Sequence, residues 1–432
     1  MKTGRIKLAI FVGLLAGSSA VSAWRIEPGI GAGMLYTDNA RFEANDEDDD
    51  VVALGYVGAA ITESDGPFRA NIDSSVIYEN YIDDTFGDKY NVNLRAMAGW
   101  EMVRDRVDWL VQDFISQQSI DSLDANTPDN RQNTNVFTLG PTITLPISAR
   151  QRLTFSPQFQ DYWYENNDTD NRRYSLNANW AYQVNKYLTT GLGGGITKVA
   201  YDDEDKNPNY DSSNLSVNLS GTRPRSTYTA SLGATYIRRD DFENRRSLTG
   251  NLAWNYSLTG HSSVRTYLAR ELRDSSVGLL KSETDPDDGD FSNEQITGDV
   301  LRNNIFRLTF RRVDSTFNTE AWTEIRDADY KEAPDDRKVW SFGATVDYQV
   351  APLVTTGASG SYNRTKQEDT GRKDETYVLA ANVVYKLSRD LRTRFELRYQ
   401  NRDSNESGDE YKVFSGFISL VYGFRDLSRP GR

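Results

Sequence analysis

Charged and aromatic residues alternate with apolar ones along several segments in the C-terminal part of the chain. Successive side chains of a strand point to opposite faces, so residues two apart share a face. One such row comprises Arg392, Arg394, Glu396 and Arg398, and a second comprises Arg307, Arg311, Glu320, Trp322 and Glu324. Rows of this kind have two uses that stay open: an ion-pair network that braces a wide structure, or a lining that guides an anionic, hydrated solute.

Acidic runs suggest a second chemistry, the binding of hard cations by carboxylate oxygens. The weak candidates are Asp285, Asp287, Asp288 and Asp290. This segment lacks the length and the terminal glutamate of an EF-hand loop. It is either a solvated, repulsive surface or a weak Ca²⁺ or Mg²⁺ site that bridges to lipopolysaccharide phosphates. No other cofactor or metal is expected.

The elements that must position these residues are long alternating segments, and 411–424 is the clearest of them. Its apolar face carries Phe414, Ile418, Leu420, Tyr422 and Phe424, whereas the other face is small and mixed. This pattern favours lipid on one side and a wetter space on the other. A terminal Phe is typical of the closing strand of an outer-membrane β-barrel, so these five residues are interpreted as the barrel-closing signal.

Alternation of this kind recurs in about twenty segments of about 9 to 15 residues, long enough to cross a membrane at a tilt. Good examples are 90–102, 174–184, 248–258, 340–350 and 377–387. The weaker segments 107–117, 262–274 and 300–313 carry charge on both faces or have unclear parity, so a count of 18 stays open. The opposite, polar face predicts a water-filled lumen rather than a packed core.

Connections between the segments are alternately long and short. The long ones are rich in Asp, Asn, Glu and Gly, as turn and coil chemistry requires. We therefore predict an all-β protein, an antiparallel transmembrane β-barrel of about twenty strands with short periplasmic turns and acidic extracellular loops, in the outer membrane of a Gram-negative bacterium. Two long loops, 118–133 and 275–298, compete for the role of a loop that folds inward to constrict the pore.

Three parts of the chain are expected. Residues 1–23 have the features of a secretory signal peptide, with Lys2, Arg5 and Lys7 before an apolar run and a small-residue cleavage site at Ala23. Residues 24–424 form the barrel, and 425–432 form a short periplasmic tail. The formal net charge of −13 argues against nucleic-acid binding.

The sequence contains few residues that could act in catalysis. The chain has no Cys and one His, His261, which falls in a predicted periplasmic turn at 259–262. Outer-membrane phospholipases and proteases need a His beside Ser or Asp near the outer leaflet. The protein is therefore not expected to be an enzyme.

The first and last strands resemble a known family. The resemblance rests on Pro28, on the run Gly29-Ile30-Gly31-Ala32-Gly33, on Tyr36-Thr37-Asp38-Asn39 and on Ser415 to Phe424. These stretches are similar to a family of outer-membrane β-barrel porins associated with exopolysaccharide and PEP-CTERM/exosortase gene clusters. The resemblance implies movement of a polysaccharide across the outer membrane, with a periplasmic polysaccharide-export protein as partner.

Three functions follow as expectations. The first is a channel that exports an exopolysaccharide. The second is a general or anion-preferring diffusion porin, and the third is a structural or adhesive surface barrel whose acidic loops, at 46–50 and 285–290, bind partners through divalent cations. Outer-membrane lipids, lipopolysaccharide and the barrel assembly machinery are expected partners in each case.

Overall fold

The computed structural model describes residues 24–239, 242–276 and 296–423. The expected signal peptide at 1–23, the tail at 425–432, Phe424 and the four aspartates of 285–290 lie outside the described residues. Predictions that concern them stay predictions.

Long strands account for nearly all of the described chain. Their bounds are β1 Arg25–Thr37, β2 Asp50–Glu63, β3 Phe68–Tyr81, β4 Lys89–Val103, β5 Val107–Ser119, β6 Arg131–Ser148, β7 Gln151–Tyr164, β8 Asn171–Asn185, β9 Leu188–Tyr201, β10 Tyr210–Arg223, β11 Ser226–Arg239, β12 Arg245–Ser257, β13 Ser262–Asp274, β14 Val300–Val313, β15 Phe317–Tyr330, β16 Arg337–Ala351, β17 Val354–Gln367, β18 Lys373–Lys386, β19 Leu391–Ser404 and β20 Tyr411–Tyr422. One turn of 3₁₀ helix, Pro128–Asn130, precedes β6. Nowhere in the described ranges is a helix long and apolar enough to cross a membrane.

The strands form one closed sheet. Each strand pairs antiparallel with its neighbours in sequence, and β1 also pairs with β20 from Ile30↔Tyr422 to Thr37↔Ser415. The structure is thus a closed antiparallel β-barrel, and the prediction of twenty strands rather than 18 is confirmed. An even number brings both ends of the barrel to the side of the short turns.

The outer face is apolar in the way that a bilayer requires. Leu215, Leu232 and Leu248 leave 68%, 69% and 70% of their surface uncovered by protein, which only a lipid environment explains. Aromatic residues lie near both ends of the apolar band, as Tyr90 and Trp100 do on β4. Such girdles mark the two membrane interfaces.

On the extracellular side several strands extend beyond the apolar band. The loop predicted at 118–133 is shorter in the structure, because β5 continues to Ser119 and β6 begins at Arg131. The strand β15 likewise continues to Tyr330. Aspartates such as Asp327 and Asp329 remain paired in the sheet. These residues are polar because they lie at the level of the lipid headgroups and the water above them. Their polarity does not mark the end of the strand.

The β1–β20 seam closes over a row of glycines. On the lumen side of β1, a Cβ added at Gly31 would lie 3.0 Å from Val421 and 3.2 Å from Tyr56, and one at Gly33 would lie 3.3 Å from the Phe417 ring. Because these glycines have no side chains, large apolar side chains of β2 and β20 pack directly over the backbone of β1. Tyr56, Phe417 and Val421 are buried in one hydrophobic cluster inside the barrel.

Candidate pore lumen

Two hairpins leave the barrel wall and lean into the lumen at its extracellular end. The β4–β5 ladder stops at Leu94↔Ile115, although β4 begins at Lys89 and β5 continues to Ser119. The β12–β13 ladder stops in the same way at Gly250↔Arg270. The β5–β6 and β13–β14 ladders themselves continue to their upper ends. The two hairpins therefore separate from the strand before them while remaining intact.

The first inward hairpin carries the chain segment 120–130 across the lumen. Ser122 Oγ accepts a hydrogen bond of 2.7 Å from Arg337 Nη1 at the start of β16. The carbonyl oxygen of Leu123 accepts one of 2.8 Å from Arg372 Nη2 and another from Arg402 on β19. Of the two loops that compete for the inward position, 118–133 agrees with this geometry over the shorter range 120–130, whereas most of 275–298 lies outside the described residues.

At its root this hairpin rests on polar side chains of the wall. Gln117 donates a hydrogen bond to Asn91, which in turn donates to the buried carboxylate of Glu79 on β3. By alternation Gln117 would face lipid. Because β5 has separated from β4 at this point, the face of β5 that carries Gln117 is turned towards the lumen-side residues of β3 and β4.

The second inward hairpin is anchored by a buried charge pair. The Asp274 carboxylate at the end of β13 lies 2.8 Å from Arg173 Nη2 on β8 and also accepts a hydrogen bond from the Tyr210 hydroxyl. Arg173 stacks over the Tyr162 ring at 4.3 Å. Neither charged side chain has appreciable contact with solvent, so each depends on the other for compensation.

Apolar contacts surround this anchor. Leu272 packs against residues on the lumen side of β9, β10 and β11: Val199, Tyr201, Tyr210 and Ile237. Ile296, which follows the undescribed part of the long connection, packs with Val136, Tyr162 and Tyr164. Near the extracellular end, apolar side chains of the second hairpin therefore pack against this part of the wall, where the sequence predicted a lining that faces water. The reason is that the hairpins cover the wall where large residues replace Asn and Ser.

The periplasmic half keeps a polar lining with arginine rows. Arg307 lies 3.5 Å from Glu324 and 5.2 Å from the centre of the Trp322 ring, and Glu324 is also 2.7 Å from Arg326. Arg311 and Glu320 are directly opposite each other on β14 and β15. With Arg265 and neighbouring Thr and Ser residues they line a cavity of about 380 Å³. The structure places all five residues of this predicted row on the lumen face.

The predicted row on β19 also faces inward. Arg394 lies 2.6 Å from Glu396, whose side chain is almost fully buried, and Arg398 donates a hydrogen bond of 3.3 Å to Gln400. Arg392 is on the same face, two residues closer to the periplasmic end of β19 than Arg394. The intervening residues Phe395, Leu397 and Tyr399 are exposed on the outside.

A neutral polar wall completes the lining. On β8 to β12 the lumen-facing residues are mainly Asn, Ser, Thr and Gly, and they hydrogen-bond to one another. Asn218 Nδ2 donates to Asn179 Oδ1 at 3.2 Å, and Ser231 pairs with Asn251. The lumen thus presents guanidinium groups on some strands and amide and hydroxyl groups on others.

Sequence reasoning missed the cross-lumen contacts of this site. Arg173, Asp274, Arg337 and Arg372 were not singled out as functional residues. Arg173 on β8 was the only visible signal, since it is a cation on the lumen face of a strand otherwise lined by Asn and Ser. Nothing in the sequence points from it to Asp274, 101 residues away.

The residues of the barrel-closing signal lie on the lipid face of β20. Phe414, Ile418, Leu420 and Tyr422 each expose about half of their surface to the surroundings of the barrel. Buried residues such as Ser415, Phe417 and Ser419 alternate with them. Phe424 itself is outside the described residues.

Within the described ranges no group of three or more His, Asp or Glu side chains is arranged to hold a metal ion. The acidic run at 46–50 uses part of its charge internally. Asp48 pairs with Arg41 at 3.1 Å, and Asp50 accepts backbone hydrogen bonds from Asp83 and Thr85. His261 is exposed in the turn before β13, with Nδ1 3.4 Å from Asp314 in the next turn.

Two carboxyl groups beside the inward segment have perturbed acidity. Burial, reinforced by the charge of Asp121, raises the pKa of Asp124. Burial also raises the pKa of Asp335, against the opposing effect of Arg337. Both groups lie in extracellular loops, at the place where 120–130 meets the opposite wall. Docking of this segment is therefore coupled to protonation.

Residues 314–423 match the family described as "Putative beta-barrel porin 2", which agrees with the barrel. No curated protein matches the chain by sequence.

The siderophore receptor PirA from Pseudomonas aeruginosa is 10% identical, with a TM-score of 0.47, over 93% of this chain and 80% of PirA. OccK2 (OpdF) from the same organism, solved with glucuronate, is 10% identical with a TM-score of 0.41, over 93% and 99%. The FrpB iron transporter from Neisseria meningitidis is 10% identical with a TM-score of 0.47, over 92% and 82%. What these proteins bind is a property of those proteins.

Proposed function

We propose that this porin-like barrel of the Gram-negative outer membrane, whose last six strands carry the beta-barrel porin family match, is the conduit for export of an anionic exopolysaccharide. The observation that carries the proposal is the composition of the periplasmic half of the lumen. There arginine rows on β14 and β19 and the Trp322 ring share the lining with a neutral wall of amides and hydroxyls on β8 to β12.

Each part of this lining suits one part of an acidic sugar chain. Guanidinium groups bind carboxylate or sulfate groups through charge-assisted hydrogen bonds. Asn, Ser and Thr side chains both donate to and accept from sugar hydroxyls. Glu320, Glu324 and Glu396 lie beside the arginines, and their negative charge limits the attraction between the lining and an anionic polymer. Moderate, repeated binding is what conduction needs, because a polymer must also leave each site.

The inward segment 120–130 would have to move for a polymer to pass. It is held to the opposite wall through hydrogen bonds from Arg337, Arg372 and Arg402, not through an apolar core of its own. Contacts of this kind can be exchanged for contacts with the charged groups of the polymer. A periplasmic polysaccharide-export protein would deliver the chain to the end that carries the short turns.

Planar-bilayer recording of the purified protein tests the proposal. A polyuronate added on the periplasmic side should interrupt the ionic current, whereas neutral dextran of equal length should interrupt it far less. The triple variant R392Q/R394Q/R398Q should lose this difference, and the outer-face variant R364Q should retain it. Equal block by the two polymers, or none by either, would overturn the proposal.

An anion-preferring diffusion porin is the second candidate. It is favoured by the narrowness that the two inward hairpins impose on the extracellular half, where packed side chains replace open space. In that case small anions should carry current in the same recordings, while the polyuronate should have no access to the lumen.

A further inference from the structure

The wall of the barrel contains a cleft where β13 separates from β12. The cleft has a volume of about 480 Å³ and lies at the last ladder pair, Gly250↔Arg270. Its outer walls are the apolar side chains Leu232, Leu248, Leu252, Leu268, Phe306 and Ile325. These residues belong to the membrane-facing side of the barrel, so the cleft opens towards the bilayer.

An ion-paired bridge closes the cleft above. Arg245, at the upper end of β12, donates a hydrogen bond of 2.7 Å to the carbonyl oxygen of Val300 on β14. It also pairs with the Asp329 carboxylate, which Arg302 holds from the other side. Side chains therefore join β12 to β14 and β15 above the point where the backbone ladder ends. The opening is a bounded window rather than an open edge.

One cation lies at this window without compensation. Arg270 lines the cleft and is exposed, and among the described residues it has neither a hydrogen bond nor an ion pair. Its cross-strand neighbour Asn304 hydrogen-bonds to Asp327 instead. Arg270 lies in one cross-strand row with Asn304 and Asp327, at the headgroup level of the extracellular side. The phosphate of a lipid whose acyl chain enters the cleft would be at the height of this guanidinium.

We propose that the cleft binds one acyl chain of an anionic membrane lipid, whose phosphate pairs with Arg270. The apolar walls match the chain, the window faces the bilayer, and the guanidinium of Arg270, which has no partner in the described part of the chain, favours an anionic headgroup. The inner end of the cleft reaches Ser231 and Asn251 of the neutral lumen wall, and the proposal does not depend on the transported solute.

Native mass spectrometry of the delipidated, refolded protein tests the site with phosphatidylglycerol and phosphatidylcholine of identical chains. The parent should retain one phosphatidylglycerol about tenfold better than phosphatidylcholine, as loss of a charged hydrogen bond implies. R270Q should remove this preference. L268W should fill the cleft and release both lipids.

The matched control is L379W, which adds the same ring on the outer face of β18, away from the cleft. It should bind lipid as the parent does. Heat-modified mobility in gel electrophoresis reports folding, and if L268W does not fold, R270Q decides alone. The proposal is overturned if the parent does not distinguish the headgroups, if R270Q keeps the preference, or if a folded L268W retains lipid. It is also overturned if the parent is a dimer that L268W dissociates, because a second copy would then cover the cleft.

Discussion

The carbonyl oxygen of Leu123 accepts a hydrogen bond of 2.8 Å from Arg372, a residue 249 positions away on the opposite side of the lumen. Arg402 donates to the same oxygen. Two guanidinium groups thus hold one backbone carbonyl and fix the tip of the segment 120–130 to the opposite side of the lumen. The cross-section of the channel therefore depends on two arginines that belong to other strands and loops.

Removal of these donors should widen the channel. Hydrogen bonds to charged groups contribute about 1.5–3 kcal/mol each, so R372A or R402A should shift the docking equilibrium of 120–130 by about tenfold or more. Single-channel conductance should rise and become noisier. K366A removes a cation of the outer face of β17 and should leave the conductance as it is. Unchanged conductance in the double variant R372A/R402A would show that other contacts hold the segment.

Acid should favour the docked form. Burial raises the pKa of Asp124 above its ordinary value of 3.8 in the docked state, so that state binds the proton more tightly. Docking is then strengthened as pH falls through the raised value and weakened as pH rises above it. Conductance should therefore be lower near the ordinary value of 3.8 than at neutral pH.

D124N should abolish the part of this pH response that Asp124 contributes. Asp88 provides the control, because hydrogen bonds from Asn80 and Tyr78 lower the pKa of this exposed carboxyl. D88N should retain the acid response of the parent. An acid response of full size in D124N would assign the effect to another group, with Asp335 the first to test.

The buried pair of Arg173 and Asp274 should stabilise the second inward hairpin strongly. Loss of one partner of a buried pair costs about 3–5 kcal/mol, because it leaves a charge without compensation. D274A should therefore release the upper end of β13, and amide hydrogen exchange of 271–274 should accelerate by at least about a hundredfold. D211N breaks an exposed pair with Arg238 and should change the exchange very little. Equal exchange in D274A and the parent would mean that the apolar contacts of Leu272 suffice.

The glycine row at the seam should be required for closure. A Cβ at Gly33 would lie 2.8 Å from the carbonyl oxygen of Ile418 as well as close to Phe417. G33V should thus destabilise the β1–β20 seam by about 1–3 kcal/mol through overpacking, and the folded fraction should fall. G55V is the matched control, since a Cβ at Gly55 meets no atom within 4 Å. Heat-modified mobility of the two variants checks this prediction.

The terminal aromatic residue is expected to direct assembly. F424A should lower the amount of folded barrel in the outer membrane, because a closing strand that ends in Phe is typical of barrels recognised by the assembly machinery. F414A truncates an aromatic residue of the same strand and face and should assemble more nearly as the parent does. Full insertion of F424A would contradict the interpretation of 411–424 as the closing signal.

Alternation along the sequence predicts most of the fold, and the segments where it is weak lie in particular parts of the barrel. The segments 107–117, 262–274 and 300–313 carry charge on both faces or have unclear parity, so alternation predicts them only weakly as strands. They correspond to β5, β13 and β14, which belong to the two hairpins that lean inward. The upper ends of β5 and β13 lie inside the barrel, where both faces of the strand contact protein or water. Because neither face contacts lipid there, apolar and polar residues have no reason to alternate.

The contacts that shape the lumen could not be predicted in this way. Periodicity reports which face a residue occupies, and it correctly distinguishes Arg394 from Phe395. It does not report what lies opposite across the barrel. The partners of Leu123 and Asp274 come from strands that only closure of the sheet brings near.

The window between β12 and β13 also affects the mechanics of the barrel. A closed sheet resists deformation because its hydrogen bonds form an unbroken ring around the circumference. At the extracellular rim that ring is interrupted above the pairs of Leu94 and Gly250, and beside the second gap the ion pair of Arg245 and Asp329 joins the strands instead. Since ion pairs weaken as salt rises, the stiffness of the rim at this gap should decrease with ionic strength. At the periplasmic ends the same strands are paired again, down to Val103↔Val107 and Ser257↔Ser263.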